Sequence, residues 1–135
     1  MREGGGLIVG VGVDLCAVSR MERALARPGF VSRVFTEQER AYLEEKGRSR
    51  AQSAAAMFAA KEAVAKALGT GMSGGVCFDR IEVTHDALGA PGVRLCGRAQ
   101  ERLRALGGGR VLLSLSHEGD MAMAFAVIEA GGGRP

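Results

Sequence analysis

The run Met57-Phe58-Ala59-Ala60-Lys61-Glu62-Ala63-Val64-Ala65-Lys66-Ala67-Leu68 constrains this chain more than any other segment. Its alanine-rich body predicts a helix, and Gly69 stands where a left-handed residue would end it. Wound at about 100° per residue, Met57, Ala60, Val64, Ala67 and Leu68 gather on one side, which predicts the core face. Glu62 and Lys66, four apart, neighbour each other on the opposite face, with Phe58 beside them. On an isolated helix such a pair is usually an ordinary solvated contact. Here a carboxylate, an ammonium and an aromatic ring are presented together just before a Gly69-Thr70-Gly71 loop.

Residues 7–15 read as a strand with Val9, Val11 and Val13 on one face and Ile8, Gly10, Gly12 and Asp14 on the other. Two glycines clear that second face, so another backbone or a ligand can approach it closely. Asp14 stands at its end, either as a cap for the next helix or as a group offered to a ligand. A short helix is expected over 18–26, ended by Pro28-Gly29. Thr36-Glu37-Gln38-Glu39 is a capping box that opens a second helix to about residue 46, and Ser53 can cap the long helix. After a glycine-rich loop at 69–75, strands are expected over 78–84 and 93–96, a small helix over 98–106, and a hairpin of strands 111–116 and 121–128. One strand followed by helices, with later strands in hairpins, predicts an α+β fold: a largely antiparallel sheet with a long central helix.

At 135 residues the chain is expected to be one domain over 7–129, with a disordered leader at 1–6 and a disordered tail at 130–135. No apolar run approaches the ~20 residues that span a bilayer, and the start lacks a secretory signal, so a cytoplasmic protein with no membrane partner is expected. Cys16, Cys77 and Cys96 are odd in number and far apart, which argues against a zinc site or a disulfide framework and predicts small buried hydrophobes. The net charge of +3 is mild, but eight basic residues, from Arg20 to Arg50, fall in the first fifty. Charge alone does not single out nucleic acid, since an acidic protein or a multiply phosphorylated ligand fits these residues as well.

Gly10-Val11-Gly12 is no dinucleotide fingerprint, because the third glycine position falls on Leu15 and no βαβ unit follows. The loop at 69–75 lacks the Gly-Lys-Ser/Thr of a Walker loop, although its backbone could still face a phosphate. In Ser114-Leu115-Ser116-His117 adjacent side chains point to opposite faces, so Ser116 and His117 are poorly placed as a nucleophile pair. His117 reads as a donor to an anionic substrate or as a turn residue, and His85 as a surface residue. Asp14 and Glu62, with Lys66 one turn away, are the hard-oxygen set that magnesium takes together with substrate phosphates.

These elements together resemble the holo-acyl-carrier-protein synthases, the small bacterial class of 4′-phosphopantetheinyl transferases. The resemblance is carried by Gly10-Val11-Gly12-Val13-Asp14-Leu15, by Phe58-Ala59-Ala60-Lys61-Glu62-Ala63 continuing to Gly71, and by Ser114-Leu115-Ser116-His117. Phe35-Thr36-Glu37-Gln38-Glu39 and Gly89-Ala90-Pro91 support it, and the match runs from about residue 7 to 129. It implies that fold and a transfer of the phosphopantetheine arm of coenzyme A to a serine of an apo acyl carrier protein in fatty acid biosynthesis, with release of 3′,5′-ADP. Asp14 and Glu62 would then ligate Mg²⁺ at the pyrophosphate, with Lys66 and His117 as further catalytic groups. Asp14, metal-bound water or Lys66 would take the serine proton. Gly69, Thr70 and Gly71 would wrap the cofactor, Gly89 and Pro91 would shape its adenine end, and Ser116 and His117 would contact phosphates or acceptor. Arg20, Arg27 and Arg33 would dock the acidic carrier with Phe58, and the protein would be a homotrimer with active sites between protomers.

Two positions depart from the family pattern. Met57 stands where an arginine is usual, with Arg48 or Arg50 as substitutes, and Ala90 where a basic residue is usual. The resemblance leaves one alternative of another class, a carrier-protein or coenzyme A binding module that keeps the fold without the transfer.

Overall fold

The structure, a computed structural model, describes residues 7–132. The expected leader and the last three residues of the expected tail lie outside the described residues. β1 (Ile8–Ala17) leads into α1 (Val18–Leu25), α2 (Phe30–Val34), α3 (Glu37–Glu44) and the long α4 (Arg50–Ala67). β2 (Ile81–His85) and β3 (Pro91–Leu95) pair as a hairpin, α5 (Gly97–Ala105) follows, and β4 (Gly108–Glu118) and β5 (Met121–Ala130) end the described chain. The main sheet has the order β1-β5-β4 with both pairings antiparallel, as the α+β reading requires.

The two glycines of β1 set how the sheet meets α4. A Cβ on Gly10 would run into the carbonyl of Ala67, and one on Gly12 into the carbonyl of Ala63. Strand and helix therefore touch backbone to backbone. On β5 the same small-residue logic continues, because Ala122, Ala124, Ala126 and Ile128 face the helix and are fully buried.

The helix is not one-sided as its residue pattern predicts. Met57, Ala60, Val64, Ala67 and Leu68 are buried as expected, but Ala54, Ala55, Ala59, Ala65 and Lys61 are buried too. Alanine side chains leave room for neighbours all round, so α4 carries the sheet on one side and α3 and β2 on the other. Lys61 has no exposed surface; its ammonium pairs with Glu39 at 2.8 Å and donates to the carbonyls of Phe78 (2.8 Å) and Ile81 (2.5 Å). All three ammonium donors are thus matched. Burial pulls the Lys61 pKa down, and the charge and hydrogen bond of Glu39 oppose that. Glu39 also closes the expected capping box with Thr36 and accepts from the Val83 N–H at 2.6 Å, so one carboxylate ties α3, α4 and β2 together.

Other local expectations shift. The long helix starts at Arg50, and the Ser49 hydroxyl at its entry donates to the Lys46 carbonyl rather than capping it, so Ser53 lies inside the helix. Helix α2 has no sequence signal beyond its buried Phe30 and Val34. Phe78–Arg80 forms a 3₁₀ turn before β2 rather than part of the strand. Ala130 is held by the Leu7 carbonyl (2.8 Å) and Gly131 by that of Gly107 (2.7 Å), so the sheet extends into the expected tail. The cysteines are free, but Cys77 and Cys96 are exposed and Cys16 only partly buried, because two of them precede helices at N-cap positions.

With Gly10, Gly12 and Asp14 facing α4, Val11, Val13 and Leu15 face the other way. Beside them stand Met121, Met123 and Phe125 of β5 and Leu112 of β4, all between 38% and 57% exposed. Val13 pairs with Phe125 and Leu15 with Met123, so these side chains form one contiguous apolar sheet face. Such a face usually marks an interaction surface.

Gly12→Ala should lower the stability of the chain by at least about 2 kcal/mol, because neither backbone can yield to the added methyl. Urea denaturation measures it, and an unchanged midpoint would contradict the contact.

Candidate active site

The cleared face of β1 delivers Asp14 to the C-terminal half of α4. Lys66 reaches across, its Nζ donating to Asp14 Oδ1 at 2.9 Å and to the Val13 carbonyl at 3.0 Å. The lysine thus pairs with Asp14, where helix spacing alone suggested Glu62. Asp14 does not cap the following helix, whose N-cap is Ala17. Glu62 is half-buried beside this pair. Its pKa is raised, first by burial and then by the negative charge of Asp14, with Lys66 pulling the other way. Two carboxylates sharing one ammonium leave a net negative, oxygen-rich spot. No group of three or more His, Cys, Asp or Glu side chains that could hold a metal occurs among the described residues. A cation here would take two protein carboxylates and draw its remaining ligands from water and a bound phosphate, which is how magnesium binds.

The carboxylates adjoin a groove. Cys16, two residues past Asp14, has its thiol pKa raised mainly by burial; the Arg20 charge lowers it, and those of Asp14 and Glu62 raise it. The same cysteine lines a groove of about 270 Å³ with Arg20, Arg23, Arg27, Phe30 and Phe58. Phe58 is half-buried rather than turned to solvent, stacked on Phe78 with ring centres 5.3 Å apart and set against Phe30 at 6.4 Å. The Arg27 guanidinium lies over the Phe30 ring. Arg27 and Arg33 border a second, apolar hollow over Phe30, Phe58 and Phe78. Among the described residues no carboxylate pairs with Arg20, Arg23, Arg27 or Arg33, so their charge is available to a partner. Arg23 and Phe78 were not singled out from sequence; the i, i+3 spacing of Arg20 and Arg23 was the available signal for the first.

A separate cleft of about 390 Å³ opens at the other end of α4, lined by Tyr42, Gln52, Met57, His85, Gly89, Pro91, Ser116 and His117 among others. Gln52 and His117 are 3.2 Å apart. His85 is not a free surface residue: it stacks flat on Tyr42 with ring centres 3.9 Å apart, and Lys46 covers Tyr42 at 4.5 Å. Burial, then the Lys46 charge, lowers the His85 pKa, with Asp86 opposing. Met57 is buried in this cleft, and Arg48 and Arg50 line a different groove beside α1. Gln52 and Glu62 are ten residues apart on α4, about 15 Å along its axis. Within one chain the sequence-predicted residues thus fall into two groups, Asp14, Glu62 and Lys66 in one and Gly89, Pro91, Ser116 and His117 in the other.

The loop after α4 serves the helix first. Gly69, at φ +83°, gives its N–H to the Lys66 carbonyl, and Thr70 and Gly71 give theirs to Ala65. The Gly71 α-carbon has open space around it, so a ligand can approach that side.

Comparison with known proteins gives one answer. A family model described as the 4′-phosphopantetheinyl transferase superfamily matches residues 10–125. A holo-[acyl-carrier-protein] synthase of Methylobacterium sp. (strain 4-46) is 49% identical over 130 residues, covering 92% of this chain and 96% of the relative. The crystal structure of the Neisseria meningitidis synthase superposes with a TM-score of 0.80 at 38% identity, covering 90% of this chain and 98% of that one. The Bacillus anthracis synthase, solved in complex with CoA (3′,5′-ADP), superposes at 0.77 with 36% identity, over 93% of this chain and 99% of that one.

A carboxyl whose folded pKa is raised favours folding in its neutral form. That contribution is complete below the ordinary value of 4.5 and is lost as pH rises through the folded value. Glu62→Gln should therefore be more stable than the wild type at neutral pH in EDTA, with the gap closing in acid. Equal stability of the two at neutral pH would show that Glu62 carries no such strain.

Proposed function

The chain belongs to the 4′-phosphopantetheinyl transferase superfamily, and from that premise we propose that it transfers the 4′-phosphopantetheine arm of coenzyme A to a serine hydroxyl of an apo acyl carrier protein. The observation that carries the reading is the meeting of Asp14, Glu62 and Lys66 beside an arginine-lined groove. Relatives solved with coenzyme A support it as co-substrate.

Asp14 and Glu62 would hold Mg²⁺ against the pyrophosphate, where the ion neutralises charge developing on the phosphate oxygens. The serine oxygen forms a bond to the phosphorus that bears the pantetheine arm, and the bond from that phosphorus to 3′,5′-ADP breaks. Lys66 already donates to Asp14 and to Val13, so it acts as a donor beside the phosphates. Asp14, directly or through metal-bound water, would then accept the serine proton. Arg20, Arg27 and Arg33, joined by Arg23, steer and hold the acidic carrier, and Phe58 on Phe78 takes an apolar side chain of it. Gly89, Pro91, Ser116 and His117 receive the nucleotide end of coenzyme A.

The two groups of site residues are joined by oligomerisation. The apolar face of β1, β5 and β4 packs against further copies to make a homotrimer, so that the carboxylates of one protomer face the cleft of its neighbour. Three free cysteines suit a cytoplasmic protein, and no helix among the described residues is long and apolar enough to cross a membrane. The pathway served is fatty acid biosynthesis.

Intact-mass spectrometry of apo acyl carrier protein incubated with this chain, coenzyme A and Mg²⁺ tests the reading. One phosphopantetheine should be added, with the rate at least about 100-fold lower for Asp14→Ala and with EDTA. Coenzyme A binding without any mass gain would instead establish a binding module of the same fold.

A further inference from the structure

Helix α1 carries Arg20 and Arg23 and leads to Arg27, yet it has no cap of its own. Its N-cap residue is Ala17, which cannot accept from the leading amides, and its first turn holds no acidic residue. At eight residues it is also too short to persist without outside support. That support comes from the far end of the chain. Asp120, in the turn between β4 and β5, accepts the Val18 N–H at its backbone carbonyl (2.7 Å) and the Ser19 N–H at Oδ1 (3.0 Å). Its Oδ2 accepts the Ser19 hydroxyl at 2.6 Å. One residue thus holds two leading amides of α1 and places a negative charge at the positive end of the helix.

Met21 and Ala24 of α1 are buried and Val18 and Leu25 pack against the core, which sets the face that α1 turns inward but leaves its leading amides to be satisfied from elsewhere. The direction of its arginines depends on where the first turn begins, and Asp120 decides that. We infer that Asp120 is a positioning residue for carrier recognition: through the first turn of α1 it aims Arg20 and Arg23 into the groove beside Asp14 and Glu62. The inference rests on the proposed docking surface. It assigns to the β4–β5 turn, which follows His117 and Glu118 at the end of β4, a role in carrier affinity that is separate from the chemical step.

The test compares Asp120→Ala, Asp120→Asn and Ser19→Ala in the full chain, with fluorescently labelled bacterial apo acyl carrier protein as the probe. Asp120→Ala should raise the carrier Kd and KM about fivefold, the factor that corresponds to losing one helix cap. kcat and the coenzyme A KM should stay within about twofold of wild type. Amide exchange should quicken over residues 18–21 and stay unchanged in α4. Asp120→Asn, which keeps an oxygen acceptor for the Ser19 N–H, should recover most of the carrier affinity, and Ser19→Ala should fall between. An unchanged carrier Kd in Asp120→Ala overturns the inference. So does a parallel loss of kcat, both KM values and thermal stability, which would mark Asp120 as a general structural residue. If the wild type binds carrier but transfers nothing, the transfer reading fails while the Kd and exchange comparison still decides the role of Asp120.

Discussion

The contact on which everything else depends is the one between two glycines and a helix backbone. Gly10 and Gly12 let β1 lie against the carbonyls of Ala67 and Ala63, and no larger residue fits in either place. That approach brings Asp14, the next residue on the same face, within reach of Lys66 and into the field of Glu62. The glycine-x-glycine-x-aspartate strand and the alanine-rich helix are therefore one device. The small residues set the separation, and the charged ones use it.

A second fastening holds the other side of α4. Lys61 and Glu39 are buried without solvent, and their oxygen and nitrogen partners are all supplied by α3, the 3₁₀ turn and β2. A buried ion pair is weak evidence for stability as such, because desolvating two charges offsets much of their attraction. What it does fix is geometry. It pins the turn that carries Phe78 against Phe58, and so joins this aromatic pair to the helix that bears Glu62. The chain has pinned a helix whose exposed edge is chemical while leaving bare a sheet face whose content is apolar.

Much of this was legible in the sequence. Strand and helix periods located β1 and α4, and the capping box opened α3 as expected, because these signals are local. Asp14, Glu62 and Lys66 could be singled out from residue type and spacing, although their meeting could not. What escaped was set by distant chain. Wound at about 100° per residue, Lys61 falls beside Met57 and Leu68 on the core face, but nothing local shows what would pair with a buried ammonium; Glu39, Phe78 and Ile81 supply the partners from distant chain. His85 reads as a surface residue in the sequence, and only the fold brings the Tyr42 ring over it. Helix α2 is five residues long, too short for a period to show. Asp120 reads only as turn chemistry, since its partners lie a hundred residues earlier.

The account places the carboxylates and the nucleotide cleft of each working site on different copies of the chain. Co-expression of Asp14→Ala and His117→Ala chains under separate tags, with isolation of mixed assemblies, tests this most directly. Each variant alone should be inactive. Every mixed trimer holds two copies of one variant and one of the other, so one site in three draws an intact Asp14 from one chain and an intact His117 from its neighbour, and about a third of the wild-type rate should return. Mixed assemblies as inactive as either parent would contradict the account, because they would show that Asp14 and His117 must belong to the same chain.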